Sequence, residues 1–206
     1  MRTTLKPLFL AALLCAAASS QAAITVYTSQ SAFLGAVAAP GFDSFDDLEI
    51  DLYDEVLNRT AGAYGYQAAA VGGLYGAGSA ADAWLSTNLR LSPIVFQNFT
   101  GGVSGFGGNF FASDIGGEYV AGGNLVLTAE DGTSLTYALN NATQASFIGF
   151  VSDAALTSVT LATDGGLYWP TANNVVLAAA VPEPATYGML LAGLGIAGLA
   201  ARRRRS

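Results

Sequence analysis

Histidine is missing altogether, and cysteine and lysine occur once each, as Cys15 and Lys6. Both fall within the first 22 residues, so the chain beyond them has no disulfide, thiolate nucleophile, Schiff-base lysine or histidine-based triad at its disposal. Zinc held through His or Cys is excluded on the same ground. Positive charge is nearly as scarce. Between Ala23 and Val181 the only cations are Arg59 and Arg90, set against 14 carboxylates, a balance of −12. A nucleic-acid partner needs its phosphates neutralised by Lys and Arg, so that class of function is ruled out. No apolar pattern of helical period runs for a useful length through this central part, and no internal repeat is visible.

What is present favours strands and turns. Gly is abundant, with 25 residues, charge is sparse, and Phe, Tyr, Val and Thr recur. The roughly 160 residues from Ala23 onward suffice for one domain with a full core. Ile24 to Thr28 alternates apolar and polar side chains with the period of a half-buried strand. Ser29 or Ser31 is placed to cap a short helix through Phe33, Leu34 and Val37, stopped by Pro40-Gly41. An acidic stretch follows, from Asp43 through Asp46, Asp47 and Glu49 to Asp51, Asp54 and Glu55. Residues 61–83, rich in Ala, Gly and Tyr, read as loop with one or two poor strands. Firm strand signals return at Ile94 to Phe99 and Val103 to Phe111. Asn124 to Glu130 and Thr133 to Leu139 flank Asp131-Gly132, a pair suited to a two-residue turn with positive φ at both positions. Phe147 to Val151, Leu156 to Leu161 and Asn174 to Leu177 add three short strands. A spacing of about ten residues between turn signals predicts a mainly β fold, a two-sheet β-sandwich.

The two ends carry different signals. Arg2 and Lys6, the apolar Leu8 to Ala18 and the small residues of Ser20-Gln21-Ala22 form a secretion signal with cleavage expected after Ala22. Cys15 follows Leu14, where a lipoprotein signal wants a small residue, so lipidation is not expected. At the other end Pro182-Glu183-Pro184 precedes an uncharged run, residues 185–201, about 25 Å long as a helix and close to the minimum for a bilayer core. Arg202, Arg203, Arg204 and Arg205 then stop it and should stay cytoplasmic. This tail resembles the PEP-CTERM sorting signal of exported proteins in Gram-negative bacteria. The resemblance implies processing at Pro182-Glu183-Pro184 by an exosortase-like membrane enzyme after passage through the secretory translocon. It also implies an inner-membrane intermediate, delivery to the cell surface or extracellular matrix, and an association with exopolysaccharide. Three segments result: a signal peptide at 1–22, an ectodomain at 23–180 and the sorting signal at 181–206.

The ectodomain carries a second, looser resemblance. Phe42-Asp43-Ser44-Phe45-Asp46-Asp47-Leu48, Phe106-Gly107, the Asp131-Gly132 hairpin, Phe147 to Ser152, Leu156 to Val159 and Asn173-Asn174-Val175 are similar in type and order to jelly-roll-like PEP-CTERM ectodomains. Many of those have Asp-Asn where this chain has Asn173-Asn174, which weakens a metal role at that position.

Three chemistries compete for the ectodomain. Paired carboxylates among Asp43, Asp46, Asp47 and Glu49 have the residue type for glycoside hydrolysis, but nothing in the sequence pairs them across a cleft, and a solvated acidic loop explains them as well. Calcium is the cofactor such oxygen donors would suit, although the regular Asp-x-Asp-x-Asp-Gly loop is absent and no metal ligands are assigned. Tyr64, Tyr66, Tyr75, Trp84 and Trp169 can stack on sugar rings or pack in a core. The expectation is a non-enzymatic exported protein, with a carbohydrate-binding module as the alternative and a glycan hydrolase behind it.

Overall fold

The computed structural model describes residues 23–181 together with Gly193. The expected signal peptide and its cleavage site at Ala22, the motif Pro182 to Pro184, the apolar run at 185–201 and Arg202 to Arg205 lie outside the described residues. Among the described residues no helix is long and apolar enough to cross a membrane.

Two antiparallel sheets form a β-sandwich, as the strand spacing predicts. In chain order the elements are β1 (Ile24–Tyr27), α1 (Gln30–Ala36), β2 (Val37–Asp43), β3 (Val56–Ala61), β4 (Tyr64–Ala69), β5 (Leu74–Ser79), β6 (Asp82–Thr87) and β7 (Ile94–Gln97). They continue with β8 (Gly105–Ser113), β9 (Tyr119–Val120), β10 (Gly123–Glu130), β11 (Ser134–Ala142), β12 (Phe147–Ser152), β13 (Ser158–Thr163) and β14 (Trp169–Ala180). One sheet has the order β1-β12-β8-β14-β6-β5, with β2 also on β14 and β9 on β8; the other runs β11-β10-β13-β7-β4-β3. The inner faces meet in an aromatic and aliphatic core. Phe96 on β7 lies 5.0 Å from Phe106 on β8, ring centre to ring centre, joining the two sheets. Phe96, Phe106, Phe110, Leu85, Leu127 and Leu161 are fully buried. Each such side chain contributes roughly 1.5–3 kcal/mol of transfer free energy, and a chain without disulfide or zinc relies on this term.

Three local expectations are corrected. The helix ends at Ala36 rather than at Pro40-Gly41, because Val37 is already extended and residues 37–43 form β2. Pro40 is accommodated there by a break in pairing with β14 between Leu177 and Ala179, where a missing N–H disrupts no ladder. Ser29 does occupy the cap position, but its hydroxyl bonds Ser31 Oγ at 2.9 Å instead of the helix backbone.

Residues 61–83 hold more strand than the one or two poor strands expected: all of β4 and β5, the end of β3 and the start of β6. The period of two is present, with Tyr64, Tyr66 and Ala68 inward and Gly65, Gln67 and Ala69 less buried. Its inward residues include Ala and Gly, whose signal is weak. At Gly76 small size is required, since a Cβ there would fall 2.0 Å from the Glu49 carbonyl oxygen of the segment crossing β5.

The third correction concerns the Asp131-Gly132 hairpin. Glu130 pairs with Ser134, leaving three loop residues, and of these only Gly132 has positive φ, at 104°. Asp131 instead accepts hydrogen bonds at Oδ1 from Thr133 N, 2.9 Å, and Thr133 Oγ1, 2.7 Å, an Asx-type turn.

Candidate functional site

The acidic stretch is a clasp around Arg59. β3 and β4 pair Arg59 directly with Tyr66, placing guanidinium and phenol side by side. Arg59 donates from Nε and from a terminal nitrogen to Asp43, at 3.0 and 2.6 Å, and from both terminal nitrogens to Asp47, at 2.8 and 2.6 Å. The Tyr66 hydroxyl donates to Asp43 Oδ2 at 2.7 Å, and the Phe45 N–H donates to Asp43 Oδ1 at 3.2 Å. Phe45 takes a left-handed backbone, φ 63°, which puts its fully buried ring 5.2 Å from the guanidinium carbon. The Asp43 side chain is 4 % exposed and that of Asp47 is 71 % exposed.

Burial opposes the charge on Arg59, but the hydrogen bonds it donates to Asp47 and Asp43 outweigh it and push its pKa further above the usual range. The Arg59 hydrogen bond holds the Asp47 carboxyl below its ordinary value, against a smaller effect of burial. Burial and then the Asp43 charge raise the Tyr66 hydroxyl well above the usual phenol value. With Asp43 enclosed and both carboxylates bridged by one guanidinium, the pair does not flank an open cleft. Asp46 and Glu49 are exposed. Among the described residues no group of three or more His, Cys, Asp or Glu is arranged to hold a metal ion. Asn173 is engaged in the fold: its Nδ2 donates to Asp82 Oδ1 at 3.1 Å and its Oδ1 accepts from the Asn174 backbone at 2.7 Å. Asn174 is left-handed, φ 49°, within the shift in pairing between Asn173 and Val176 opposite β8. The pair shapes a bulge, for which Asn is well suited.

The aromatic candidates divide by burial. Tyr64, Tyr66 and Trp84 are 6 %, 3 % and 5 % exposed and belong to the core, so none offers a ring face to a ligand. Trp84 donates its indole N–H to the Gly117 carbonyl at 3.1 Å and meets Phe111 edge-on at 5.1 Å. Tyr75 and Trp169 are half-buried and line one cleft of about 200 Å³ with Ser86, Thr87, Asn88 and Asp114.

Strand alternation builds this cleft. Leu85 faces the core opposite Ala172 of β14, so Ser86 points the other way, next to its partner Tyr75 on β5. The segment from Asp114 to Glu118, between β8 and β9, forms one wall. Asp114 shapes it by accepting at Oδ1 from the N–H groups of Gly116, 2.8 Å, and Glu118, 3.0 Å. Under the floor, the Ser113 and Thr171 hydroxyls lie 2.7 Å apart, Thr171 Oγ1 donates to Ser86 Oγ at 3.2 Å, and Ser86 Oγ donates to the Pro170 carbonyl, also at 3.2 Å. Trp169 is fixed at the start of β14 by its indole N–H, which donates to the Asn88 carbonyl at 3.3 Å. Sequence reasoning named both rings but missed Asp114, which is 39 residues from Tyr75 and 55 from Trp169 in the chain.

The folded part is thus a two-sheet antiparallel sandwich, and its last strand runs directly into the tail. Residues 180–205 match the PEP-CTERM protein-sorting motif. That match supports an exported protein sorted to the cell surface by an exosortase system. No curated protein and no solved structure matches the chain.

Proposed function

We propose that this chain is a non-enzymatic surface or extracellular-matrix protein that accompanies exopolysaccharide, its sandwich being the cargo delivered by the sorting tail. The match of residues 180–205 to the sorting motif is the observation that carries this reading. The secretory translocon exports the chain, and the signal peptide is removed after Ala22. Residues 185–201 then hold the protein in the inner membrane, with Arg202 to Arg205 on the cytoplasmic side, because moving four guanidinium groups across a bilayer is prohibitive. An exosortase-like enzyme acts at Pro182-Glu183-Pro184. The two prolines keep that segment extended and outside the helix, and Glu183 provides its only carboxylate.

Glu183→Ala tests this reading. The apolar run and the arginines are intact in that variant, so it should insert normally and accumulate in the inner membrane as a signal-cleaved species with its tail attached. Fractionation and immunoblotting give the readout. Normal release of the variant would show that Pro-Glu-Pro is a linker and the tail an ordinary anchor.

A further inference from the structure

The geometry points to the Tyr75–Trp169 cleft as a binding site for one neutral sugar ring, a terminal or branch residue of a glycan. This goes beyond the sorting reading, since it concerns a site in the folded domain that operates whether or not the tail is processed.

Several independent features define the ligand. The cleft, about 200 Å³, is smaller than the roughly 300 Å³ at which pockets for drug-sized ligands begin, so it accepts a single ring and not an enclosed oligomer. Two half-buried aromatic side chains stand in its wall, and aromatic faces pair with the C–H faces of pyranoses through apolar contact. Polar groups alternate with them. Asp114 Oδ1 is occupied by two backbone N–H groups, while Oδ2 has no hydrogen-bond partner among the described residues and is free to accept from a sugar hydroxyl. A carboxylate accepting such a bond makes a charge-assisted contact, stronger than a neutral one. Ser86 at the floor is 3 % exposed, its hydroxyl donating to the Pro170 carbonyl and accepting from Thr171 Oγ1. That hydroxyl is engaged within the protein and shapes the floor, which leaves Asp114 Oδ2 as the side-chain acceptor for a ligand O–H.

Charge decides between classes of sugar. The cleft lining contains Asp114 and no Lys or Arg, and Glu118 is exposed on the same β8–β9 segment. A uronic acid or sulfated sugar would bring a second negative charge beside Asp114 with nothing to neutralise it. The geometry is also held in place before any ligand arrives. Trp169 is tied to Asn88, the Ser113–Thr171–Ser86 hydroxyls are mutually bonded, and Asp114 fixes its own segment. Such preorganisation reduces the ordering cost of binding.

The test uses the full-length chain purified in a detergent without a sugar headgroup, with methyl glucoside, methyl galactoside, methyl mannoside and glucuronate as probes. Ligand-observed saturation-transfer NMR reads binding. At least one neutral glycoside should give a saturable response with a dissociation constant on the order of 1 mM, the range that ligand efficiency sets for so small a molecule. Glucuronate should bind at least fivefold more weakly. Trp169→Ala should weaken binding about tenfold. Asp114→Asn keeps an acceptor for Gly116 and Glu118, so the wall persists, but it should still weaken binding about threefold. It therefore decides the matter even if Trp169→Ala fails to fold. Thr136→Ala, exposed on β11 in the other sheet, should change nothing. Absence of a saturable response to all three neutral glycosides would overturn the proposal, as would unaltered binding by Asp114→Asn or equal affinity for glucuronate. None of these outcomes bears on release of the Glu183→Ala variant, so the two readings fail separately.

Discussion

At the scale of single residues, Arg59 has the most consequences. Asp43 is buried, and Arg59 is the cation that compensates its charge. Truncation to Arg59→Ala would leave a buried carboxylate with only the Tyr66 and Phe45 donors, a loss of about 3 kcal/mol in unfolding free energy at neutral pH. Denaturant titration of wild type and variant measures it. The pH dependence has a defined sign. Asp47 is depressed below 3.8 in the folded state, so its pairing stabilises the protein above the unfolded value. That contribution disappears as pH falls below 3.8 and through the lower folded value, so the gap between wild type and Arg59→Ala should narrow over that descent. Tyr66 acts at the other limit. Its folded value lies well above 10.0, so its contribution is complete below about pH 10 and is lost as pH rises toward the folded value. The composition of the acidic stretch was plain in the sequence, but its purpose was not. Nothing local indicates that a residue 16 positions after Asp43 closes the clasp, because the pairing of Arg59 with Tyr66 is fixed by the register of β3 against β4.

At the scale of elements, two glycines near each other in sequence should respond oppositely to the same change. At Gly41 on β2, a Cβ would stand 2.0 Å from the Ala61 carbonyl oxygen at the end of β3. Both atoms belong to extended backbone, so β2 must shift, and Gly41→Ala should cost about 2 kcal/mol, lowering Tm by roughly 5 °C. Gly35 lies in α1, where a Cβ meets nothing within 4 Å. Gly35→Ala should therefore raise stability by about 0.5–1 kcal/mol through helix propensity and a less free unfolded chain. Differential scanning calorimetry of the two variants checks both signs. The sandwich was legible where strands carry branched or aromatic side chains, as in β7, β8, β10 and β12. It was faint in β4 and β5, read as one or two poor strands in a loop, because close crossings demand Ala and Gly in place of the residues that announce a strand. The candidate cleft was legible only in part for a related reason. Trp84 and Trp169 look alike in sequence, and what separates them is the β8–β9 segment, whose Gly117 carbonyl caps the first and leaves the second beside an opening.

At the scale of the whole molecule, β14 connects the two proposed roles. It begins at Trp169, in the cleft, and ends at Ala180, next to the sorting motif. Twelve residues of extended chain place these ends roughly 36 Å apart. A membrane holding the tail would thus lie at one end of the strand, with the cleft at the other. Little slack separates domain and motif. Ala180 N donates to Ser104 Oγ at 2.6 Å, and Val181 N donates to the Ala36 carbonyl at 3.2 Å, one residue before Pro182. A processing enzyme that binds a few residues in extended form before Glu183 must detach this end of β14 from its neighbours. Two hydrogen bonds at about 1 kcal/mol each make that a cost of about 2 kcal/mol, a factor of roughly thirty in the population of an accessible substrate. Inserting Gly-Ser-Gly-Ser-Gly-Ser between Val181 and Pro182 removes the need to open the sheet. Tail removal in pulse-chase experiments should then become several-fold to tenfold faster, while the thermal stability of the sandwich stays within about 0.5 kcal/mol of wild type, since no packed residue is changed. Unchanged or slower removal would mean that the enzyme engages only residues beyond Val181, and that the tight junction at β14 plays no part in the rate.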